Sequence, residues 1–208
     1  ARKMRIGSRI LAAVFGCIGA LASYASASTL QIEVVDKTGA PVADAVVYAT
    51  PLSGKLPAKA PAGAVIDQIK RQFVPLVSVI QTGASVTFPN KDNFEHDVYS
   101  FSPAKKFELN LYHGVSAKPV VFDKPGLVVM GCNIHDMMIA YVLVVDTPYF
   151  AMTDASGKAT IENLPAEPYR VAAWQYRMKD GAPHPVQTIT PNPDGTAKFT
   201  LELLAPPA

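Results

Sequence analysis

Short runs of β-branched and aromatic residues, separated by clusters of Gly, Pro, Asn and Asp, recur along most of this chain, while the helical repeat of apolar positions is almost absent. With 18 prolines and 13 glycines in 208 residues, nearly every run is stopped before it could propagate as a helix. The pattern predicts an all-β chain folded as a Greek-key β-sandwich. Strands are expected near Leu30 to Val35, Ala45 to Ala49, Leu76 to Ile80, Ser85 to Phe88, Asp97 to Phe101 and Phe107 to Leu111. Others follow near Val120 to Phe122, Leu127 to Gly131, Met138 to Val145, Lys158 to Ile161, Tyr169 to Gln175, Val186 to Ile189 and Thr196 to Leu203. Ala64 to Phe73 is ambiguous, because Ile66, Ile69 and Phe73 would also line a short helix; an edge strand and turn is the favoured assignment.

Residues 1 to 27 have the layout of a secretory signal and are set aside from the fold. Arg2, Lys3, Arg5 and Arg9 precede the uncharged run Ile10 to Ala22, and Ala25-Ser26-Ala27 is a cleavage motif, so export to the periplasm with cleavage after Ala27 is expected. The apolar run is too short for a retained transmembrane segment, and bulky Phe15 ahead of Cys17 speaks against a lipoprotein site. Removing four of the 19 basic residues leaves 15 against 17 acidic ones, a net charge of −2. The basic character of the full sequence therefore gives no argument for nucleic-acid binding.

Outside that segment Cys132 is the only cysteine, so no internal disulfide can form. An exported free thiol oxidises unless it is buried or held by a metal. Its neighbours favour a metal: Cys132-Asn133-Ile134-His135-Asp136-Met137-Met138 places a thiol, an imidazole and a thioether in one short loop between two expected strands, and His96 stands at the head of another. A site cycling between Cu(I) and Cu(II) needs this mixture of soft and borderline donors with a weak axial ligand. Met137 and Met138 compete for the axial position, since adjacent strand residues point to opposite faces.

The segment from about Phe73 to Val145 resembles the cupredoxins, and the spacing of Cys132, His135 and Met138 is similar to that of amicyanin. Phe88-Pro89-Asn90 ahead of His96, with Thr147-Pro148-Tyr149-Phe150 after the loop, is similar to exported plastocyanin-like proteins often labelled methylamine utilization proteins. The resemblance implies one type 1 (blue) copper ion, with His96, Cys132 and His135 equatorial and Met138 axial. It also implies a one-electron carrier, not an enzyme, working with a periplasmic redox protein such as a dehydrogenase or a c-type cytochrome. Two departures stand out. Asp97 replaces the Asn that ties the ligand loops together in these families, so a backbone N–H or the Asn133 side chain is needed for the tie. Asp136 replaces a proline after the loop histidine.

Leu30 to Val47, with the turn Asp36-Lys37-Thr38-Gly39, shares its grammar with Asp154-Ala155-Ser156-Gly157 followed by Leu164-Pro165 and Tyr169-Arg170-Val171. Both resemble the carboxypeptidase regulatory-like sandwich of immunoglobulin/transthyretin-like strands. The expected organisation is a signal peptide (1–27), N-terminal strands plus a Pro/Ala-rich linker (28–63), a cupredoxin-like copper domain (64–147) and C-terminal strands of the flanking sandwich (148–208).

Competing assignments explain less. A cysteine-nucleophile enzyme using Cys132 with a histidine and Asp97 or Asp136 leaves the methionine idle, and structural zinc prefers more thiolate or imidazole. A copper chaperone or interaction module without electron transfer is the alternative function. His113 and His184 lack partners at ligand spacing and are expected at the surface, and Trp174 in the core.

Overall fold

The computed structural model describes residues 27–57, 61–115 and 118–206; the signal-peptide assignment lies outside them, and so does part of the expected linker. Among the described residues the elements are β1 (Ser28–Asp36), β2 (Val46–Pro51), β3 (Ala64–Val65), β4 (Asp67–Ile69), β5 (Gln72–Val74), β6 (Val77–Gln81), β7 (Ala84–Thr87), β8 (His96–Ser102) and β9 (Lys105–Tyr112). They continue with β10 (Val120–Phe122), β11 (Gly126–Gly131), β12 (Ile139–Val145), β13 (Phe150–Met152), β14 (Lys158–Leu164), β15 (Tyr169–Trp174), β16 (Val186–Ile189) and β17 (Asp194–Leu201). The protein is all-β, and none of these residues forms a helix able to cross a membrane.

The strands form four stacked sheets and one small hairpin. The orders are β14-β1-β17, β13-β2-β15-β16, β6-β12-β11-β8-β9 and β10-β7-β3, with β4-β5 apart. Side-chain alternation assigns the layers. In β1, Leu30, Ile32 and Val34 are at most 2% exposed while Gln31 is exposed, as befits an outer sheet with one wet face. In β12 both faces are covered: Ala140, Val142 and Val144 enter one core, whereas Leu143 and Val145 enter another. β2 divides the same way, sending Val47 and Ala49 to the first core and Val46 to the last. A strand buried on both sides reads as a continuous apolar run, and Ile139 to Val145 does so because it is a middle layer.

Three cores result. One lies between the sheets of β1 and β2, a second between those of β12 and β7, and a third, built by Val46, Val77, Leu143, Val145 and Trp174, joins the two sandwiches. Trp174 is 5% exposed there, in the core as expected. The paired turns are built alike. Asp36 Oδ1 accepts from Thr38 N, Thr38 Oγ1 and Ala40 N, and Asp154 Oδ1 from Ser156 N, Ser156 Oγ and Lys158 N. The segment 64 to 73 is extended: β3 pairs with β7 at a sheet edge and β4–β5 is a hairpin, without a helix.

His184 corrects the sequence expectation. It is half-buried, and its Nδ1 lies 2.8 Å from the Tyr48 hydroxyl beside Trp174. Burial lowers its pKa below the usual histidine value. His113 is exposed, as expected.

Candidate metal centre

Cys132 and Met138 bracket the loop joining β11 to β12: the cysteine follows Gly131 and the methionine precedes Ile139. A hydrogen bond from Met138 N to His135 O at 2.9 Å closes the end of the loop. His96 opens β8 opposite Tyr112 of β9, and the register shifts between His96 and Val98, an irregularity of the kind that re-aims a side chain.

These segments bring His96, Cys132 and His135 together. Cys132 Sγ lies 4.0 Å from His96 Nδ1 and 3.8 Å from His135 Nδ1, and one donor atom from each residue falls within 4.8 Å of the others. An ion bonded at about 2.0 Å to imidazole nitrogen and about 2.3 Å to thiolate sulfur in a trigonal plane would separate N from S by about 3.7 Å, so the spacing fits one metal ion. His96 is fully buried and Cys132 is 4% exposed, whereas His135 is partly open. Met138 is 1% exposed in the same core cluster as Cys132, while Met137 is 77% exposed. Ile134, 53% exposed, and Met137 flank His135 in the loop, and Asp136 is exposed beside them.

Asp97, buried at 4% exposure, ties the His96 strand to the Cys132 loop. Its Oδ1 accepts from the Cys132 thiol at 2.9 Å and from Asn133 N at 2.8 Å, and its Oδ2 accepts from Asn133 Nδ2 at 2.6 Å. Both donors expected of Asn133 are therefore used. Desolvation, followed by the bond to Asp97, pushes the Cys132 thiol above its usual pKa.

Sequence reasoning missed Asp92 and Phe94. Asp92 Oδ2 lies 2.8 Å from His96 Nε2, and the Phe94 ring meets both imidazoles, at 5.0 Å from His96 and 5.7 Å from His135 between centroids. Partial desolvation raises the Asp92 carboxyl, but the Arg71 N–H, the His96 ring and the Lys70 N–H outweigh it and hold the group below the usual range. A carboxylate only accepts, so the 2.8 Å contact is a hydrogen bond only with a ring hydrogen on Nε2, the tautomer that leaves Nδ1 free to face Cys132 as a donor atom. An aspartate four residues before a candidate histidine ligand, in the turn-forming run Asn90-Lys91-Asp92-Asn93, was the available signal.

No family model matches the chain, and no curated protein matches it. Solved structures similar to it include a Cu-containing nitrite reductase (NirK) from Thermus scotoductus SA-01, at 24% identity and a TM-score of 0.38, covering 46% of this chain and 25% of that one. The chain thus spans a quarter of the reductase's length. A purple cupredoxin from Nitrosopumilus maritimus matches at 21% identity and a TM-score of 0.35, over 40% of this chain and 99% of its own. An oxidized mutant of amicyanin matches at 20% identity and a TM-score of 0.35, over 44% and 97%. The structural neighbours are thus cupredoxins at low identity and partial coverage.

Proposed function

We propose that the chain is a periplasmic type 1 copper protein carrying one electron at a time between redox partners, with His96, Cys132 and His135 as equatorial ligands and Met138 as the axial one. What carries the proposal is the convergence of two imidazole nitrogens and one thiol sulfur within 4.8 Å, from segments 36 residues apart in sequence. Bound copper supplies the one-electron change, and a thiolate–imidazole set with a weak thioether suits both of its oxidation states. Met138 rather than Met137 would supply the thioether, since Met138 is buried in the same core cluster as Cys132 while Met137 faces solvent. Cys132 must lose its proton to become a ligand, so loading releases a proton and weakens as pH falls.

Electrons would pass through the partly open His135 edge, framed by Ile134 and Met137, to a docked partner. By the motif resemblance that partner is a periplasmic dehydrogenase or c-type cytochrome, and redox encounters use interfaces below about 1,200 Å². Copper titration of the purified protein tests this. An intense thiolate-to-copper absorption that ascorbate bleaches is expected; Cys132→Ser should abolish it, and Met138→Leu should keep it with a shifted potential. A colourless protein would favour a chaperone or interaction module, and colour retained in Cys132→Ser would refute the ligand set.

A further inference from the structure

We infer that Asp92 is a positioning residue for His96: it fixes the ring's tautomer and orientation and lowers the reduction potential of the bound metal. The inference rests on the copper assignment proposed above. It starts from His96 itself, whose side chain is fully buried and meets polar groups at both nitrogens, Asp92 at Nε2 and the Cys132 thiol at Nδ1.

The Asp92 carboxylate is itself held. Lys70 N donates to Oδ1 at 2.6 Å and Arg71 N to Oδ2 at 2.9 Å. These two residues form the turn of the β4–β5 hairpin, with φ of 53° and 60°. Consecutive left-handed residues aim successive N–H groups at one anion, making a backbone nest. Two-residue turns of this kind ordinarily use Asn-Gly or Asp-Gly, because a left-handed backbone is strained for residues with long side chains such as Lys70 and Arg71. The Asp92 carboxylate gives both turn N–H groups a partner.

Further contacts fix the aspartate backbone. Asp92 N donates to Asn90 Oδ1 at 3.0 Å, while Asn90 Nδ2 reaches both Phe94 O and Tyr112 O at 2.8 Å. The Arg71 guanidinium sits 5.2 Å from the centroid of Phe94, whose ring packs against His96. A hairpin outside the large sheets is thereby coupled through one carboxylate to a candidate ligand. A carboxylate on the far nitrogen makes an imidazole a stronger donor and restricts its rotation. The stronger donor favours the more highly charged oxidised ion, and the restraint on rotation strengthens binding of either state.

The test uses Asp92→Asn, nearly isosteric, and Asp92→Ala in the full chain. Three readouts are the potential of the copper-loaded protein, Zn²⁺ affinity by titration, and the His96 ring N–H by NMR in metal-free protein. Zn²⁺ affinity should fall about 10- to 100-fold. Cu(II) should weaken about tenfold more than Cu(I), which raises the potential by about 59 mV. In metal-free wild type the ring proton should sit on Nε2 and be protected from exchange, with that protection lost in the alanine variant. Lower thermal stability with potential and Zn²⁺ affinity both unchanged would overturn the inference, because a purely structural aspartate would behave that way. A ring proton on Nδ1 in the wild type would also overturn it. Wild-type protein that takes up no copper would instead defeat the carrier proposal and the potential effect, leaving the ring-proton measurement to decide whether Asp92 orients His96.

Discussion

Asp97 allows a magnitude to be worked directly from its contacts. The side chain is 4% exposed and accepts three hydrogen bonds, from Cys132 Sγ, Asn133 N and Asn133 Nδ2. At about 1 kcal/mol net per bond, Asp97→Ala forfeits roughly 3 kcal/mol, and stranding the buried thiol donor brings the cost to about 4 kcal/mol. Asn133→Ala removes only the Nδ2 bond at an exposed residue, about 1 kcal/mol. That bond is lost in both single variants, so the double variant should cost less than their sum by about 1 kcal/mol. Urea unfolding of the metal-free protein measures this through the single tryptophan, Trp174, which is 5% exposed and distant in sequence from either substitution. The midpoints should shift at constant m. A cost below about 1 kcal/mol for Asp97→Ala, or strict additivity, would refute the idea that this carboxylate joins the His96 strand to the Cys132 loop.

Leu143, 3% exposed in the core between the sandwiches, should cost about 2–5 kcal/mol as Leu143→Ala, against about 0.5 kcal/mol or less for Ile134→Ala on the open loop; denaturant midpoints compare them. His184 pairs with the Tyr48 hydroxyl through Nδ1, and burial, which disfavours the charged ring, lowers its folded pKa below the usual histidine value of 6.5. Its contribution is therefore fully present above about pH 6.5 and lost as pH falls through the folded pKa. The melting temperature should drop between pH 7.5 and pH 5, and less so in His184→Gln; an identical slope in both proteins would count against the pair. Gly157 and Gly39 occupy equivalent left-handed turn positions, at φ +72° and +86°, but a Cβ at 157 would sit 2.5 Å from Val34 O whereas one at 39 meets nothing within 4 Å. Gly39→Ala should cost about 1 kcal/mol and Gly157→Ala at least twice that in thermal melts; equal costs would mean the turn region gives way freely.

The strands were legible because burial writes itself into sequence differently in each layer. Leu30 to Val34 alternates on an outer sheet, while Ile139 to Val145 runs apolar throughout between two cores. β13 escaped because Phe150, Ala151 and Met152 are all half-buried on an edge and show no alternation. Cys132 and His135, which the structure brings together with His96, were readable from their spacing within one loop. Asp92 offered only its place four residues ahead of His96, because the left-handed Lys70-Arg71 turn that holds its carboxylate has none of the usual Gly or Asn signals. The Tyr48–His184 bond joins residues 136 apart, and nothing local to Pro183-His184-Pro185 announces it.

An aspartate at position 97 follows from sheet geometry once its partners are counted. β8 and β11 meet at the register pair Tyr99–Gly131, so the next antiparallel pair along the same ladder is Asp97 with Asn133. At that position the Asp97 side chain accepts the Asn133 N–H, extending the ladder past the point where β11 gives way to the loop. The position must also receive the Asn133 amide and the Cys132 thiol, making three donors aimed at one side chain. A carboxylate has acceptor capacity for all of them and no hydrogen of its own to turn against them, whereas an amide at 97 would set an N–H₂ against one of these donors. Asn133 and Asp97 therefore act as a matched pair. Together with the Asp92 nest behind His96 they brace the His96 segment and the Cys132 loop. In the copper carrier proposed above, such bracing would leave little to move when an electron arrives.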